Sequence, residues 1–488
     1  MRLLILVINL LNKFMANILA KYKKVYMVGI KGVGMTMLAQ FLKEKGSVVT
    51  GSDIPDTFLT DKVLKKEKIK VFGHFDIKNI SSDVNLVIHS SAYTPENNIE
   101  LAYLTKQGKV RVLNYASALG EIFSAYQGIA VCGSHGKTTT SAWLGYVLHK
   151  ANLEPNVLVG SSVPQFKSSG LVGSSDIFVA EADEYQNKLQ YFSPYGVVLN
   201  NIDYDHPDFF KTKAAYFKAF KDFVVKIPGD GFFVANDSDK QIRSLYPSVD
   251  GWILNYDFVD DEADYLKKKA KVKFVAYDHR IENGYQYFKV NDLGEFKIRL
   301  IGRHNVYNAL AVLAASYALG LEVTEIKKHL ATFLGTTRRA SVFGGSFKIR
   351  FLFLYDYAHH PTEVISTISA FKDAYPNKKL VLVFHPHTFT RTLALFDDFK
   401  QSFSGADELI IIDIYGSARE TQGGTSSKEL IKAIKSWNSE QGIKQKVVHQ
   451  TDLAAVEKYL RDNLKANDLL LLMGAGDIFR VGENLLKK

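Results

Sequence analysis

Short, fully apolar runs recur along this chain, and stretches with helical spacing separate them. "VYMVGI" (Val25–Ile30) reads as a buried strand, and "MTMLAQFLKEKG" (Met35–Gly46) as a helix stopped by its glycine. "SVVTGSD" and "VNLVIHSSA" (Val84–Ala92) are the next strands. Strand and helix alternate, which is the rhythm of a parallel sheet. The rhythm pauses at "FSAYQG" (Phe123–Gly128), read as a linker, and resumes at Ile129–Cys132, Asp176–Asp183 and Tyr195–Asp203. From Trp252 to Leu300 the pattern alternates more strictly, and Asn283-Gly284 marks a hairpin turn. "NALAVLAASYALGL" (Asn308–Leu321) is a strong helix. After Leu334–Ala340, the runs "FLFLYDYA", "KLVLVFHP", "ELIIIDIY" and "DLLLLMGAG" repeat the parallel α/β pattern. The expected organisation is an extension (1–24) and α/β domains at 25–125, 126–335 and 336–488.

Composition narrows the classes. The 488 residues are 47% hydrophobic and 23% charged, as expected of a globular protein with several cores. The single cysteine, Cys132, precludes an internal disulfide and suits a reducing cytoplasm; it reads as a small buried side chain. The net charge of +10 raises the question of nucleic acid. However, the lysines are scattered, and the cluster Lys267–Lys269 follows the acidic run Asp260–Glu262, so a solvated face is expected and no nucleic-acid partner. The apolar start "MRLLILVINLLNKF" is shorter than the ~20 residues that span a bilayer. It lacks a clear cleavage site, and Met15 is an alternative start, so no stable membrane insertion is expected.

Candidate chemistry sits where the strands end. "GIKGVGM" (Gly29–Met35) follows a strand and opens a helix, with Gly32 and Gly34 letting the backbone approach a pyrophosphate. Asp53 lies about 20 residues further on, where an acid can bind a ribose hydroxyl. Met37 replaces the third glycine of the dinucleotide fingerprint, so NAD and another diphosphate-linked nucleotide both remain open. "GSHGKTTT" (Gly133–Thr140) is a second phosphate loop, shorter than G-x-x-x-x-G-K-[ST]. Its backbone N–H groups, from Gly133 through Ser134, His135 and Gly136 to Lys137, can ring a phosphate. Lys137 can reach β and γ oxygens, and the Thr138 hydroxyl, beside Thr139, can join magnesium. Carboxylates follow on two strands: Glu181, Asp183 and Glu184, then Asp203 and Asp205 with His206, oxygen-rich sets that suit magnesium. Asn305 and Asn308 either meet an adenine edge or cap the following helix. Arg338 or Arg339 can reach a phosphate. "YDYAHHPTE" and "FHPHTFTRT" add Asp356, Tyr357, His359, His360, Glu363, His387 and Arg391. Arg391 can clamp a carboxylate and a neutral histidine can take a proton from an amine. No zinc-type spacing is present.

Taken in order from Val25 to Ile478, these motifs resemble the Mur ligase family of cell-wall enzymes. "GIKGVGM", "GSD", "HSSA", "GSHGKTTT", "GRHN", "GTTRR", "DYAHHPTE", "HPHTFTRT", "DIYGSARE" and "MGAGDI" carry the likeness, nearest to the branch that adds the first amino acid. The resemblance implies an N-terminal Rossmann-like domain for a UDP-sugar, a central P-loop ATPase-type α/β domain, and a C-terminal Rossmann-like α/β domain for the amino acid. It implies an ADP-forming ligase in peptidoglycan precursor synthesis, joining L-alanine to the lactyl carboxylate of UDP-N-acetylmuramate. The cofactors implied are ATP and Mg2+, with Mn2+ able to substitute, in a cytoplasmic monomer or homodimer. By the same likeness Gly32, Val33, Gly34, Ser52, Asp53, Ser90 and Ser91 meet the UDP-sugar. Gly133–Thr139, Asn305, Asn308, Arg339 and Asp356 meet ATP. Thr138, Glu181 and His206 hold metal, and Tyr357, His359, His387 and Arg391 surround the amino acid, with Lys137, His359 and His387 catalytic. Two departures stand out. Thr388 replaces an arginine, and Asp203 replaces a glutamate as in "NIDYDH". A sister ligase that recycles tripeptides onto the same sugar is the alternative; a different P-loop ATPase and an NAD-dependent dehydrogenase fit fewer motifs. Lys221 is a candidate for the carbamylated lysine that some members carry.

Overall fold

The structure, a computed structural model, describes residues 22–58, 60–337, 341–344, 352–416, 420, 423–474 and 476–486. The apolar start, Arg338 and Arg339 lie outside them. Contacts divide the chain into two compact units. One holds the described residues through Ile202 with Phe217–Tyr256 and Ala311–His329; the other holds Asp203–Tyr216, Asp257–Leu310 and the residues from Leu330 on.

In the first unit, β1 (Lys24–Val28), β2 (Val48–Ser52), β3 (Lys70–Phe72), β4 (Leu86–His89) and β5 (Arg111–Asn114) form a sheet in the order β3-β2-β1-β4-β5. Every pairing in it is parallel. The order reverses between β1 and β4, and ligands of open α/β sheets bind in the crevice that such a reversal leaves at the strand C-termini. Helix α1 (Val33–Glu44) follows β1 and α2 (Tyr115–Phe123) follows β5. Next come β6 (Gln127–Cys132), α3 (Lys137–Lys150), β7 (Asn156–Val163), β8 (Ser168–Leu171), β9 (Ile177–Glu181) and β10 (Gly196–Leu199). Helix α4 (Lys213–Val224), β11 (Phe232–Asn236) and β12 (Trp252–Phe258) complete this stretch. β6 is central, flanked by β10 and β9 in parallel, so the ends of all three reach one edge.

The expected linker at Phe123–Gly128 is a packed corner. Ala125 and Tyr126 are buried, and Phe41 of α1 meets Phe178 of β9 with ring centroids 5.3 Å apart. Phe123 and Tyr126 close on the same Phe178 ring at 5.9 and 5.2 Å. Aromatic pairs at such distances add to burial. That cluster is why the first sheet and the central strands fall in one unit.

In the second unit, β13 (Phe274–Glu282), β14 (Tyr285–Val290) and β15 (Glu295–Ile298) form an antiparallel meander. Its first turn is the expected one: Asn283 and Gly284 have φ of 51° and 76°, the left-handed pair a type I′ hairpin needs. Helix α5 (Arg303–Ala318) begins five residues before the expected Asn308, so Asn305 and Asn308 lie inside it, not in a loop ahead of it. The last sheet has the order β16 (Ser341–Gly344), β17 (Leu352–Asp356), β21 (Leu469–Gly474), β18 (Leu380–His385), β19 (Glu408–Ile412), β20 (Lys446–Gln450). Only the β16–β17 pairing is antiparallel. Side chains alternate between two cores: Leu382, Ile411 and Leu471 pack on one face, Val383, Ile410 and Leu472 on the other. Both faces are covered, which explains why these strands read as unbroken apolar runs. Helices α6 (Pro361–Ala374) and α7 (Phe389–Ala394) follow β17 and β18. Among the described residues, no helix is long and apolar enough to cross a membrane.

Candidate active site

Phosphate loop geometry follows from two glycines and an asparagine. Gly133 has φ 120°, and a Cβ there would lie 2.8 Å from the Asn201 carbonyl oxygen. Gly136, with φ 81°, caps α3. Both conformations favour glycine. The N–H groups of Ser134 and His135 donate to Asn201, at 3.2 Å to its carbonyl and 2.8 Å to Oδ1. This narrows the expected phosphate ring, because two of its donors hold the loop itself. The first-turn N–H groups from Lys137 onward remain, which have no acceptor within their own helix.

Lys137 lies nearly buried at the centre. Its Nζ donates to the carbonyls of Gly133 at 2.6 Å and Ser134 at 3.1 Å, and pairs with Glu184 at 3.0 Å. Burial works against its charge, but Glu184, Asp183 and Glu181 together hold the ammonium well above its usual range. Thr138 Oγ1 donates to Glu181 Oε1 at 2.8 Å, and Glu181 Oε2 accepts from Gly160 N–H at 2.7 Å. A hydroxyl and a carboxylate therefore stand together as hard oxygen donors at the loop, the chemistry a magnesium ion takes. Cys132 is fully buried, and burial pushes its thiol up, away from nucleophilic use.

At the glycine turn the left-handed residue is Gly29, at φ 79°, whereas Gly32 caps α1 with an ordinary φ of −57°. Gly34 is required for another reason: a Cβ there would lie 2.8 Å from the Tyr115 ring. Asp53 is buried and already satisfied. It accepts from Lys31 N–H at 2.7 Å, Ile54 N–H at 2.8 Å and the Tyr93 hydroxyl at 3.2 Å. In this structure it braces the turn. Ser52 is buried too, donating to Glu100 at 2.5 Å, while Ser90 is half-buried and Ser91 exposed at the end of β4. A pocket of about 220 Å³ joins the two loops, lined by Val33, Gly34 and Tyr115 on one side and by Lys137, Glu181 and Asp183 on the other.

The second unit gathers the amino-acid candidates at the C-terminal ends of β17 and β18. Asp356 is buried and accepts from Thr367 Oγ1 at 2.9 Å and Ala358 N–H at 3.2 Å. His360 caps α6 in a capping box with Glu363. Arg391 is buried, and its Nε and Nη2 reach Asp205 at 3.2 and 3.1 Å. Its Nη1 lies 3.3 Å from His387 Nδ1. Burial alone would raise the Asp205 carboxyl, but Arg391, then His206, His359 and His360, hold it far below the usual carboxylate range. Burial and then Arg391 lower His359 to about 3 and His387 to about 4, so both rings are neutral near pH 7. Thr388 caps α7 at φ 65° and ψ 140°, a strained conformation for a β-branched residue, and so aims His387 and Arg391. Tyr357 lies edge-on to His359 at 5.2 Å between ring centroids.

Other sites are met differently. Asn305 Nδ2 donates to the Ile301 carbonyl at 2.8 Å and Asn308 Nδ2 to Asn305 Oδ1 at 3.1 Å, so both are buried at the start of α5. Glu181 belongs to the first unit and His206 to the second. Lys221 is exposed on α4, on the solvent side of its helix, which argues against a carbamate there. Asn201, Gly160 and Tyr115 went unread in the sequence. Only the "NN" of "LNNID" signalled the first, since polar residues just past a buried strand mark its C-terminal edge.

Three family models match consecutive segments: Mur ligase family, catalytic domain (24–127); Mur ligase middle domain (131–316); and Mur ligase, glutamate ligase domain (338–476). A curated relative from Caldanaerobacter subterraneus subsp. tengcongensis, named UDP-N-acetylmuramate–L-alanine ligase, is 36% identical over 96% of this chain and 98% of its own. The chain belongs to the Mur ligase family. A second relative of the same name, from Desulfitobacterium hafniense, is 36% identical over 95% of this Mur ligase and 99% of its own length. Two solved structures share the fold. The UDP-N-acetylmuramate–alanine ligase of Thermotoga maritima has a TM-score of 0.76 at 24% identity, covering 95% of this chain and 98% of its own. The murein peptide ligase of Psychrobacter arcticus has a TM-score of 0.68 at 23% identity, with the same coverage.

Proposed function

We propose that this Mur ligase joins L-alanine to the lactyl carboxylate of UDP-N-acetylmuramate, driven by ATP, in peptidoglycan precursor synthesis. The pocket that runs from the glycine turn to Lys137 carries the reading. It lies between a diphosphate-type crevice and a γ-phosphate-type cation, where a sugar nucleotide's own carboxylate would meet ATP.

A carboxylate oxygen is a poor leaving group, so it must first be phosphorylated. The lactyl carboxylate attacks the γ-phosphate of ATP, giving an acyl phosphate and ADP. The amine then attacks the acyl carbon and phosphate departs. Lys137 and the first-turn N–H groups of α3 would offset the charge as two anions are brought together. Thr138 and Glu181 would hold Mg2+ or Mn2+, with His206 as a further candidate; the ion would supply charge neutralisation on the phosphates. Asn305 and Asn308 are candidates for the adenine, and Asp356 for the ribose or phosphates. Arg391, His387 and His359 would receive the amino acid. Both nucleotide substrates are cytoplasmic, which is where this reading puts the enzyme.

The test is phosphate release from ATP with UDP-N-acetylmuramate and a panel of amino acids and the muramyl tripeptide. Release that needs both the sugar nucleotide and L-alanine supports the reading. Release with tripeptide alone replaces the acceptor, and release without a sugar nucleotide removes the ligase reading.

A further inference from the structure

The glycine turn between β1 and α1 carries a lysine, Lys31, to which the proposed reaction gives no task. Lys31 is only 7% exposed. Lysine is almost never so buried unless its ammonium is paired. Here every polar group of the residue goes to the chain that follows β2. Nζ donates to the Ile54 carbonyl at 3.0 Å and the Asp56 carbonyl at 2.8 Å, and lies 3.6 Å from Asp61 Oδ1. The Phe58 ring centroid is 5.6 Å from it, within cation–π range. The backbone turns the same way: the Lys31 N–H donates to Asp53 Oδ2 at 2.7 Å, and its carbonyl accepts from the Thr60 hydroxyl at 2.5 Å. Pro55 to Phe58 are exposed, and Ile54–Phe58 form neither helix nor strand. Such a loop has little burial of its own to order it. A buried ammonium beneath it fixes two of its carbonyls.

We propose that Lys31 is a positioning residue for the nucleoside half of the sugar nucleotide. It latches Ile54–Phe58 onto the glycine turn and holds Asp53, at the root of that loop, in line for the ribose. This rests on the ligase reading and adds to it a residue that acts through others. Lys31 stands one residue before Gly32, the cap of α1, where a diphosphate is expected. Its ammonium is nevertheless spent on loop carbonyls, so its part is geometry and not contact with phosphate. Asp53 keeps room for a ligand. It accepts three hydrogen bonds, from Lys31, Ile54 and Tyr93, and a carboxylate offers about four acceptor sites, which leaves one for a ribose hydroxyl. With the latch made, the loop is ordered before substrate arrives, and binding does not bear that ordering cost. Without it, the cost moves into the binding step and weakens affinity, while phosphoryl transfer at Lys137 is untouched.

The experiment uses Lys31→Met in the full-length enzyme. Methionine keeps the apolar stem and removes the ammonium, and the freed carbonyls of an exposed loop turn to water, so the fold survives. Without nucleotide, amide hydrogen exchange across residues 54–58 should quicken at least ~10-fold. KM for UDP-N-acetylmuramate should rise about tenfold, with kcat within about twofold of wild type and KM for ATP and L-alanine unchanged. In calorimetry, uridine and UDP should lose affinity by the same factor, because the latch serves the nucleoside. Thr60→Ala, which removes only the tie to the Lys31 carbonyl, should raise the same KM about threefold. The inference is overturned if Lys31→Met keeps wild-type exchange and KM. It is overturned too if UDP alone loses affinity, which would mean direct contact with phosphate, or if kcat falls as far as KM rises. A wild type that binds neither UDP-N-acetylmuramate nor UDP removes the ligase reading and this inference with it; a wild type that binds both, matched by Lys31→Met, removes this inference alone.

Discussion

Lys137 and Arg391 are the cations at the centre of their candidate sites, the first nearly buried and the second buried, and each is held by a carboxylate of the chain itself. Lys137 pairs with Glu184 at 3.0 Å and Arg391 with Asp205 at 3.1 Å. The difference is in what each pairing leaves over. An ammonium is a point charge on a flexible stem, so Lys137 can leave Glu184 and its two loop carbonyls to meet a phosphate. A guanidinium is a planar fork, so Arg391 can keep Asp205 on one edge and bind a second carboxylate on the other. On the proposed reading, one acid would be a placeholder that substrate displaces, and the other an anchor that aims the fork.

Removing the cations tests that contrast most severely. Lys137→Ala should lower kcat by at least ~10³-fold while UDP-sugar binding, read by calorimetry, persists, because the loss falls on charge stabilisation during phosphoryl transfer. Near-normal turnover would end the mechanism. Next come the acids. Removing one partner of a buried pair costs about 3–5 kcal/mol, because the other charge is left uncompensated. Glu184→Gln should therefore lower Tm, and ATP should restore it. Asp205→Asn should lower Tm as well, but an amino acid should restore it only in part, since the anchoring edge stays empty, and KM for L-alanine should rise about tenfold. ATP rescuing Asp205→Asn as fully as it rescues Glu184→Gln would erase the distinction between placeholder and anchor.

A pH series sharpens it further. His359 and His387 are lowered to about 3 and about 4, whereas unfolded histidine titrates near 6.5. Between these values the unfolded chain binds protons that the native state does not, so stability falls as pH drops below about 6.5. The slope is at most about 1.4 kcal/mol per pH unit for each ring. Denaturant melts from pH 7 to 5 should show it, and His359→Gln with His387→Gln should flatten it. Lys137, whose ammonium is held well above its usual range, stays charged throughout that window and should contribute no slope.

What the sequence made legible was local. Apolar runs marked the strands of the last sheet because both of its faces are covered, and "GSHGKTTT" announced its loop because two glycines must take positive φ within four residues. Asn283-Gly284 announced its hairpin for the same reason. What stayed hidden was partnership through space. Asp205 meets Arg391 across 186 residues, and Glu184 meets Lys137 across 47. Asp205 and Glu184 read equally well as metal ligands, since a carboxylate past a strand end looks the same whichever cation it faces. Asp53 shows the same limit. Its place after the glycine turn matches a ribose ligand, and nothing in the sequence showed that the N–H of Lys31 and the Tyr93 hydroxyl would meet it as well.

The smallest effect is expected where the anchor's own backbone is strained. Thr388 sits at φ 65° and ψ 140° between the histidine and the arginine it positions, and its Oγ1 accepts from Arg391 N–H at a long 3.4 Å. That backbone region costs a β-branched residue about 1–3 kcal/mol, and glycine is nearly free of the penalty. A glycine N-cap costs only a few tenths of a kcal/mol relative to threonine, although the freer unfolded chain opposes the gain by up to ~1 kcal/mol. Thr388→Gly should therefore leave stability level or raise it by about 1 kcal/mol, measured by denaturant melts. KM for the amino acid should rise about two- to threefold as α7, and with it the His387-facing edge of Arg391, is less firmly aimed. A clear loss of stability would mean that the strain is not what holds the fork in place, and that Asp205 alone aims Arg391.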